Sequence, residues 1–78
     1  MGNIETRIKV VMSSVFNVDV EAINEESSQD NMESWDSIKT LDLIVALEEE
    51  FGVTIPLEEV GNMTNFKYIN LMIGELSS

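Results

Sequence analysis

The chain has 78 residues, enough for one small domain spanning residues 1–78. It contains no cysteine or histidine, which excludes disulfides and thiolate chemistry and leaves transition metals without their usual ligands, so we expect no metal site. Fifteen acidic residues against four basic ones give a formal net charge of −11, which disfavours nucleic acid and anionic membranes as partners and favours basic protein surfaces.

The first predicted helix runs from about Asn3 to Phe16. Its apolar residues recur at helical spacing, at Ile4, Ile8, Val11, Met12 and Val15. Glu5 and Lys9 are four residues apart, a spacing that favours an ion pair on a helix. We interpret this segment as a packing helix.

A long polar connection follows, from Asn17 to Trp35. The residues from Asn24 to Asn31 show no apolar periodicity, so we predict a loop with four apolar anchors, Val18, Val20, Ile23 and Met32. A loop of this length in a small domain requires a purpose, such as a crossover between neighbouring helices. The Asp-x-Asp-x-Asp-Gly frame of an EF-hand is absent, so we predict no calcium loop.

The strongest helix signal lies between Asp36 and Gly52. Asp36 is a favourable N-cap residue, and Gly52 tolerates the left-handed backbone that often ends a helix. One apolar stripe at helical spacing contains Leu43, Ala46, Leu47 and Phe51, and a second contains Ile38, Leu41 and Val45. Both stripes could be buried in a bundle, or the second could face a partner, and periodicity alone does not decide between them.

Shorter segments complete the chain. Val53 to Pro56 is predicted to be extended, because proline disfavours helix at the preceding residue and suits the start of a new helix. A short helix is predicted from Leu57 to about Val60, ending near Gly61. The last helix has Thr64 or Asn65 as its N-cap, and its buried stripe comprises Phe66, Ile69, Met72 or Ile73, and Leu76. Three longer helices and one short helix, with no strand, indicate an all-α fold.

Ser37 lies in the first turn of the central helix, where the helix dipole and free N–H groups favour a phosphate. The tripeptide Asp36-Ser37-Ile38, followed by the run from Leu43 to Pro56, resembles the acyl carrier proteins. The match is clear from Met32 to about Pro56 and looser over nearly the whole chain. The resemblance implies a small four-helix bundle with a long first loop. It also implies a 4′-phosphopantetheine arm, derived from coenzyme A and esterified to Ser37.

The resemblance assigns further residues to partner recognition. Asp36 would stabilise the helix start beside the phosphodiester. An apolar recognition patch would comprise Ile38, Leu41 and Val45. Acidic residues would meet basic patches on a phosphopantetheinyl transferase and on acyl-loading, synthase and transferase enzymes, namely Asp42, Glu48, Glu49, Glu58 and Glu59. For each glutamate, an ordinary solvated face is an equally good interpretation.

Several positions depart from the common fatty-acid type of carrier. Lys39 is positive where an acidic residue is frequent, and we expect it to influence partner choice. Ser34-Trp35 replaces Gly-Ala before the motif, Ile38 replaces leucine, and Gln29 lies near the usual site of an aromatic anchor. These differences indicate a stand-alone carrier of a specialised pathway.

The predicted function is therefore a non-catalytic carrier of acyl intermediates, held as thioesters, in fatty-acid, polyketide or related biosynthesis. Serine needs an activating base, and the chain has no histidine, so we do not predict an enzyme. Alternatives are an aminoacyl or peptidyl carrier of a nonribosomal-type pathway and an acidic helical adaptor without a prosthetic group. Neither a signal peptide nor an apolar stretch of about 18 residues is visible. We expect a monomeric, cytoplasmic protein.

Overall fold

The computed structural model describes residues 4–77, which contain three α-helices and two 3-10 helices. In chain order these are α1 (Ile4–Phe16), a first 3-10 helix (Val20–Ala22), α2 (Ser37–Phe51), a second 3-10 helix (Leu57–Asn62) and α3 (Phe66–Leu76). Strands are absent from this part of the chain, and the predicted all-α class is confirmed. The predicted start of the first helix, Asn3, lies outside the described residues.

The core lies where the three α-helices meet. Each α-helix contributes one apolar stripe: Ile8, Met12 and Phe16 from α1, Leu43, Ile44 and Leu47 from α2, and Phe66, Ile69 and Ile73 from α3. Connecting segments add Ile23, Trp35, Ile55 and Met63. The 3.6-residue period of the helices therefore predicted most of the core positions, whereas the contributions from the connections have no such periodicity.

Both ends of α2 form as the sequence predicts. The backbone N–H of Lys39 donates to the Asp36 Oδ1 at 2.8 Å, so Asp36 is the N-cap. Gly52 has φ 65° and ψ 37°, and its N–H donates to the carbonyl of Glu48 at 2.9 Å. A residue with a Cβ would be strained in this left-handed conformation, which explains why glycine ends the helix.

The two apolar stripes of α2 have different environments. Leu43 and Leu47 are fully buried, whereas Ile38, Leu41 and Val45 are 71%, 54% and 55% exposed. The ambiguity left by periodicity is thereby resolved, because the second stripe lies outside the core. The other two residues of the first stripe lie at its edge. Ala46 and Phe51 are partly buried, and Phe51 packs against the core with one side of its ring facing the Arg7 guanidinium, 4.4 Å from the ring centroid.

The long connection between α1 and α2 is held by apolar anchors and by hydrogen bonds. Of the four predicted anchors, Ile23 is buried and Val18 and Met32 are partly buried, but Val20 is exposed, because it begins the first 3-10 helix on the surface. The N–H of Phe66 donates to the carbonyl of Ser27, and the N–H of Gln29 donates to that of Thr64, both at 2.9 Å. The loop is therefore attached to the start of α3.

The C-terminal segments follow the prediction with small changes of boundary. The second 3-10 helix continues past Gly61 to Asn62. Asn65, not Thr64, caps α3, because its Oδ1 accepts from the N–H of Tyr68 at 2.8 Å. Ile73 is fully buried, whereas Met72 is only partly buried and completes the edge of the stripe.

The burial pattern of α2 predicts opposite effects for two alanine substitutions. Leu47→Ala removes a fully buried side chain and should lower the free energy of unfolding by about 2–5 kcal/mol, because it leaves a cavity. Val45→Ala, on the exposed stripe, should change that free energy by no more than about 0.5 kcal/mol. Urea denaturation followed by circular dichroism measures both. A larger loss for Val45→Ala than for Leu47→Ala would mean that the wrong face of α2 has been placed in the core.

Candidate functional site

Ser37 is exposed as the first residue of α2. The first N–H groups of a helix have no intrahelical acceptor. One of those in this turn, the N–H of Lys39, is satisfied by the Asp36 carboxylate, and the N–H of Thr40 makes the first i→i−4 bond of the helix, to the Asp36 carbonyl at 2.9 Å. The N–H groups of Ser37 and Ile38 precede these and point toward the same end of the helix, so the Ser37 hydroxyl lies in an environment that favours an anion.

Beneath Ser37 lies a buried group of polar side chains that sequence analysis missed. The Thr40 Oγ1 accepts a hydrogen bond from the Trp35 Nε1 at 2.9 Å and donates to the carbonyl of Asp36 at 3.0 Å. The Gln29 Nε2 also donates to the Thr40 Oγ1, at 3.4 Å. Trp35 is 2% exposed, and its ring centroid lies 5.0 Å from that of Phe16. The sequence did contain a signal for this arrangement. Thr40 lies four residues after the N-cap, and that spacing allows its hydroxyl to donate to the carbonyl of Asp36.

A surface groove of about 260 Å³ begins at Ser37 and runs between α2 and the second 3-10 helix. Its lining combines polar and apolar side chains, including Gln29, Thr40, Leu41, Val60 and Thr64. The groove is partly open to solvent, so a flexible chain that carries both amides and methylene groups could lie in it.

The chain matches the family model described as the phosphopantetheine attachment site over residues 6–66. The chain belongs to this family. Its fold is similar to the solution NMR structure of a holo acyl carrier protein from Geobacter metallireducens, with a TM-score of 0.81 and 22% sequence identity. The similarity covers 92% of this chain and 83% of that one. The protein is therefore a carrier protein, and its cofactor is covalently attached 4′-phosphopantetheine, as the sequence resemblance implied.

The surroundings of Ser37 in this carrier fit such an arm. The hydroxyl is exposed, the helix start favours a phosphodiester, and the neighbouring groove offers polar and apolar groups to a chain of amides and methylenes. The one carboxylate of the N-cap, Asp36, is already hydrogen-bonded to the backbone through its Oδ1. Within residues 4–77 there is no group of three or more Asp or Glu side chains placed to hold a metal ion. No helix in that range is long and apolar enough to cross a membrane.

The acidic residues predicted to recognise partners are not equivalent in the carrier. Asp42, Glu49 and Glu58 are exposed. By contrast, the Glu48 Oε2 accepts from the N–H of Ile55 at 2.8 Å and so holds the extended segment after α2.

Glu59 also has bonds within the fold. Its Oε1 accepts from the hydroxyl of Tyr68 and from the Asn62 Nδ2. The hydrogen bond to the Glu59 carboxylate, together with desolvation, raises the pKa of Tyr68 above its usual value. Glu48 and Glu59 thus have structural contacts that the sequence did not reveal, and the recognition role of all five acids stays a prediction.

Lys39 lies close to the end of α1 instead of extending freely into solvent. Its Nζ donates to the carbonyl of Val15 at 3.4 Å, in the last turn of that helix. A positive charge is favourable there because of the helix dipole. Its influence on partner choice stays a prediction, and the structure adds a second role in packing α2 against α1.

The cap at Asp36 predicts a difference between two substitutions. Asp36→Ala should lower the free energy of unfolding by about 1 kcal/mol, because the N–H of Lys39 loses its acceptor. Asp36→Asn retains a capping oxygen and should remain within a few tenths of a kcal/mol of the wild type. Thermal and urea denaturation of the three proteins would measure this. Equal losses for alanine and asparagine would show that the charge of Asp36, not its capping bond, stabilises the helix start.

Proposed function

We propose that this carrier holds its arm on Ser37 and transports acyl intermediates as thioesters between the enzymes of a biosynthetic pathway. The observation that supports this assignment is the position of Ser37 at the exposed start of a capped helix. The other serines of residues 4–77 lie elsewhere: Ser13 and Ser14 within α1, Ser27 buried, and Ser28, Ser34 and Ser77 outside the start of any helix.

Loading then requires a separate phosphopantetheinyl transferase. The Ser37 Oγ would form a bond to the phosphorus that bears the pantetheine, the P–O bond in the diphosphate of coenzyme A would break, and adenosine 3′,5′-bisphosphate would leave. The hydroxyl proton would pass to a base on the transferase, because this chain contains no histidine. When bound, the arm supplies a terminal thiol that this cysteine-free chain lacks. The carrier itself needs no catalytic residue.

Partners would bind at the exposed stripe of α2. Ile38, Leu41 and Val45 together form an apolar patch in a strongly acidic surface, with Asp42 exposed on the same helix. Exposed apolar patches with polar borders are typical of protein interaction sites. We therefore propose partner enzymes that present an apolar contact bordered by basic residues, which would also accelerate their encounter with a chain of net charge −11.

For the arm we propose one attachment residue, whereas for the pathway we propose a class. The departures at Trp35, Ile38 and Lys39 favour a specialised fatty-acid, polyketide or related pathway, served by a monomeric single-domain carrier in the cytoplasm. An aminoacyl or peptidyl cargo would use the same arm and the same serine. The adaptor alternative is disfavoured, because family membership brings a covalent prosthetic group.

Ser37 should be the sole modified residue. Incubation with coenzyme A and a broad-specificity phosphopantetheinyl transferase should add the mass of one phosphopantetheine group to the wild type and none to Ser37→Ala. Ser34→Ala, three residues away, is the matched control and should be modified like the wild type. Intact mass spectrometry with peptide mapping measures the outcome. An arm on another serine, or an unmodified wild type under conditions that load a control carrier, would contradict the proposal.

The apolar patch should contribute to loading without contributing to the core. Val45→Ala should lower kcat/KM for loading about fivefold, as expected for an interface side chain worth about 1 kcal/mol. Leu71→Ala is the matched control, because Leu71 is 59% exposed on α3, away from Ser37. It should load at the wild-type rate. Equal rates for Val45→Ala and Leu71→Ala would remove Val45 from the proposed surface.

A further inference from the structure

We infer that Thr40, held by Trp35, is a positioning residue that orients the Ser37 peptide for modification. This inference rests on the proposed role of Ser37. Thr40 is 5% exposed and therefore has too little surface for a side-chain contact with a transferase. Its effect on loading would act through the backbone at the start of α2.

The Thr40 hydroxyl uses its full hydrogen-bonding capacity. A hydroxyl has one donor hydrogen and two acceptor lone pairs. The indole N–H of Trp35 and the amide of Gln29 occupy the acceptor side, at 2.9 Å and 3.4 Å. The hydrogen is donated to the carbonyl of Asp36 at 3.0 Å. Because an indole N–H can only donate, Trp35 forces Thr40 Oγ1 to accept from it and leaves the hydroxyl hydrogen for the Asp36 carbonyl.

The carbonyl of Asp36 belongs to the same peptide group as the N–H of Ser37. That carbonyl accepts from both the N–H and the hydroxyl of Thr40, at 2.9 Å and 3.0 Å. Because the peptide group is planar, fixing the direction of the carbonyl fixes the direction of the Ser37 N–H. This N–H lies at the helix start, beside the oxygen that receives the phosphorus. Thr40 thus orients the Ser37 peptide group through its two hydrogen bonds to the Asp36 carbonyl.

Trp35 gives this arrangement a rigid support. Its side chain is 2% exposed, and its ring contacts that of Phe16 at the end of α1, with a centroid distance of 5.0 Å and an interplanar angle of 33°. The residue two positions before Ser37 is therefore fixed to another helix. Small errors in the placement of a reacting group lower reaction rates strongly. The orientation of Ser37 thus depends on a contact between α1 and the start of α2.

The test compares loading of full-length variants with coenzyme A and one phosphopantetheinyl transferase, with kcat and KM determined separately. Thr40→Val is nearly isosteric but cannot accept from Trp35 or donate to Asp36. It should lower kcat about tenfold and leave KM unchanged, because the recognition surface is intact. Thr40→Ser retains the hydroxyl and should restore kcat to within about twofold. Thr6→Val, an exposed threonine of α1, is the matched control and should load like the wild type.

A second readout separates positioning from stability. The chain has a single tryptophan, so its indole N–H gives one NMR signal, whose exchange with solvent reports the bond to Thr40. Exchange should accelerate in Thr40→Val and stay slow in Thr40→Ser, while circular dichroism shows both folded at the assay temperature. Should Thr40→Val not fold, Trp35→Phe is used in its place, because it keeps an aromatic ring against Phe16 and removes the indole N–H together with part of the ring system. Its kcat should then fall several-fold.

Three results would have distinct meanings. A wild type that does not load overturns the proposed function itself. A wild type that loads, alongside a folded Thr40→Val with the same kcat, overturns only the positioning role. A loss of kcat that Thr40→Ser fails to restore also overturns it, because the hydroxyl would then not be the responsible group.

Discussion

The Asp36 peptide fixes the first turn of α2, the helix that carries both Ser37 and a large part of the core. The Asp36 carboxylate binds the N–H of Lys39 and its carbonyl binds Thr40. Successive residues of an α-helix are rotated by about 100° around its axis, so fixing the first turn fixes the direction of every later side chain. Thr40, Leu43 and Leu47 then face inward, and Ser37, Ile38 and Val45 face solvent. The cap thus sets where the helix begins, and the burial of Leu43 and Leu47 in the core sets which face points inward.

Three of the four basic side chains are engaged within α1 or between α1 and α2. Arg7 pairs with Glu50 at 3.0 Å, and Lys9 pairs with Glu5 at 3.6 Å. Lys39 donates to the end of α1. Exposed pairs of this kind contribute little stability individually. Their greater effect is on the distribution of charge, because Asp42 and Glu49 remain exposed on α2, where the proposed partners would bind.

Local chemistry was predictable from sequence, whereas contacts between distant residues were not. The caps at Asp36 and Gly52 depend on residues within one helical turn, and the stripe containing Leu43 and Leu47 depends on a single period. By contrast, Trp35 packs on Phe16, far away in the chain, and no periodicity links the two.

At the candidate site too, residues with a local signal were predicted, and residues whose role depends on distant contacts were missed. Ser37 could be found because its signal, a serine after an N-cap, is local. Thr40 was missed because threonine is usually exposed, and its burial here accompanies the hydrogen bond from the Trp35 indole. Glu48 and Glu59 read as surface charges, although each accepts a hydrogen bond from a separate segment.

The long loop between α1 and α2 connects the start of α3 to the start of α2. Its backbone pairs with the residues just before and at the start of α3, through Gln29 with Thr64 and through Ser27 with Phe66. The side chain of the same Gln29 reaches Thr40 in α2. A polar loop needs partners for its backbone groups, and these bonds supply them in a segment with few apolar anchors. Gln29 therefore links the residue before Asn65, the N-cap of α3, to the hydrogen bonds around Thr40. The start of α2 is thus held from two sides: Trp35 contacts α1, and the loop connects it to the start of α3.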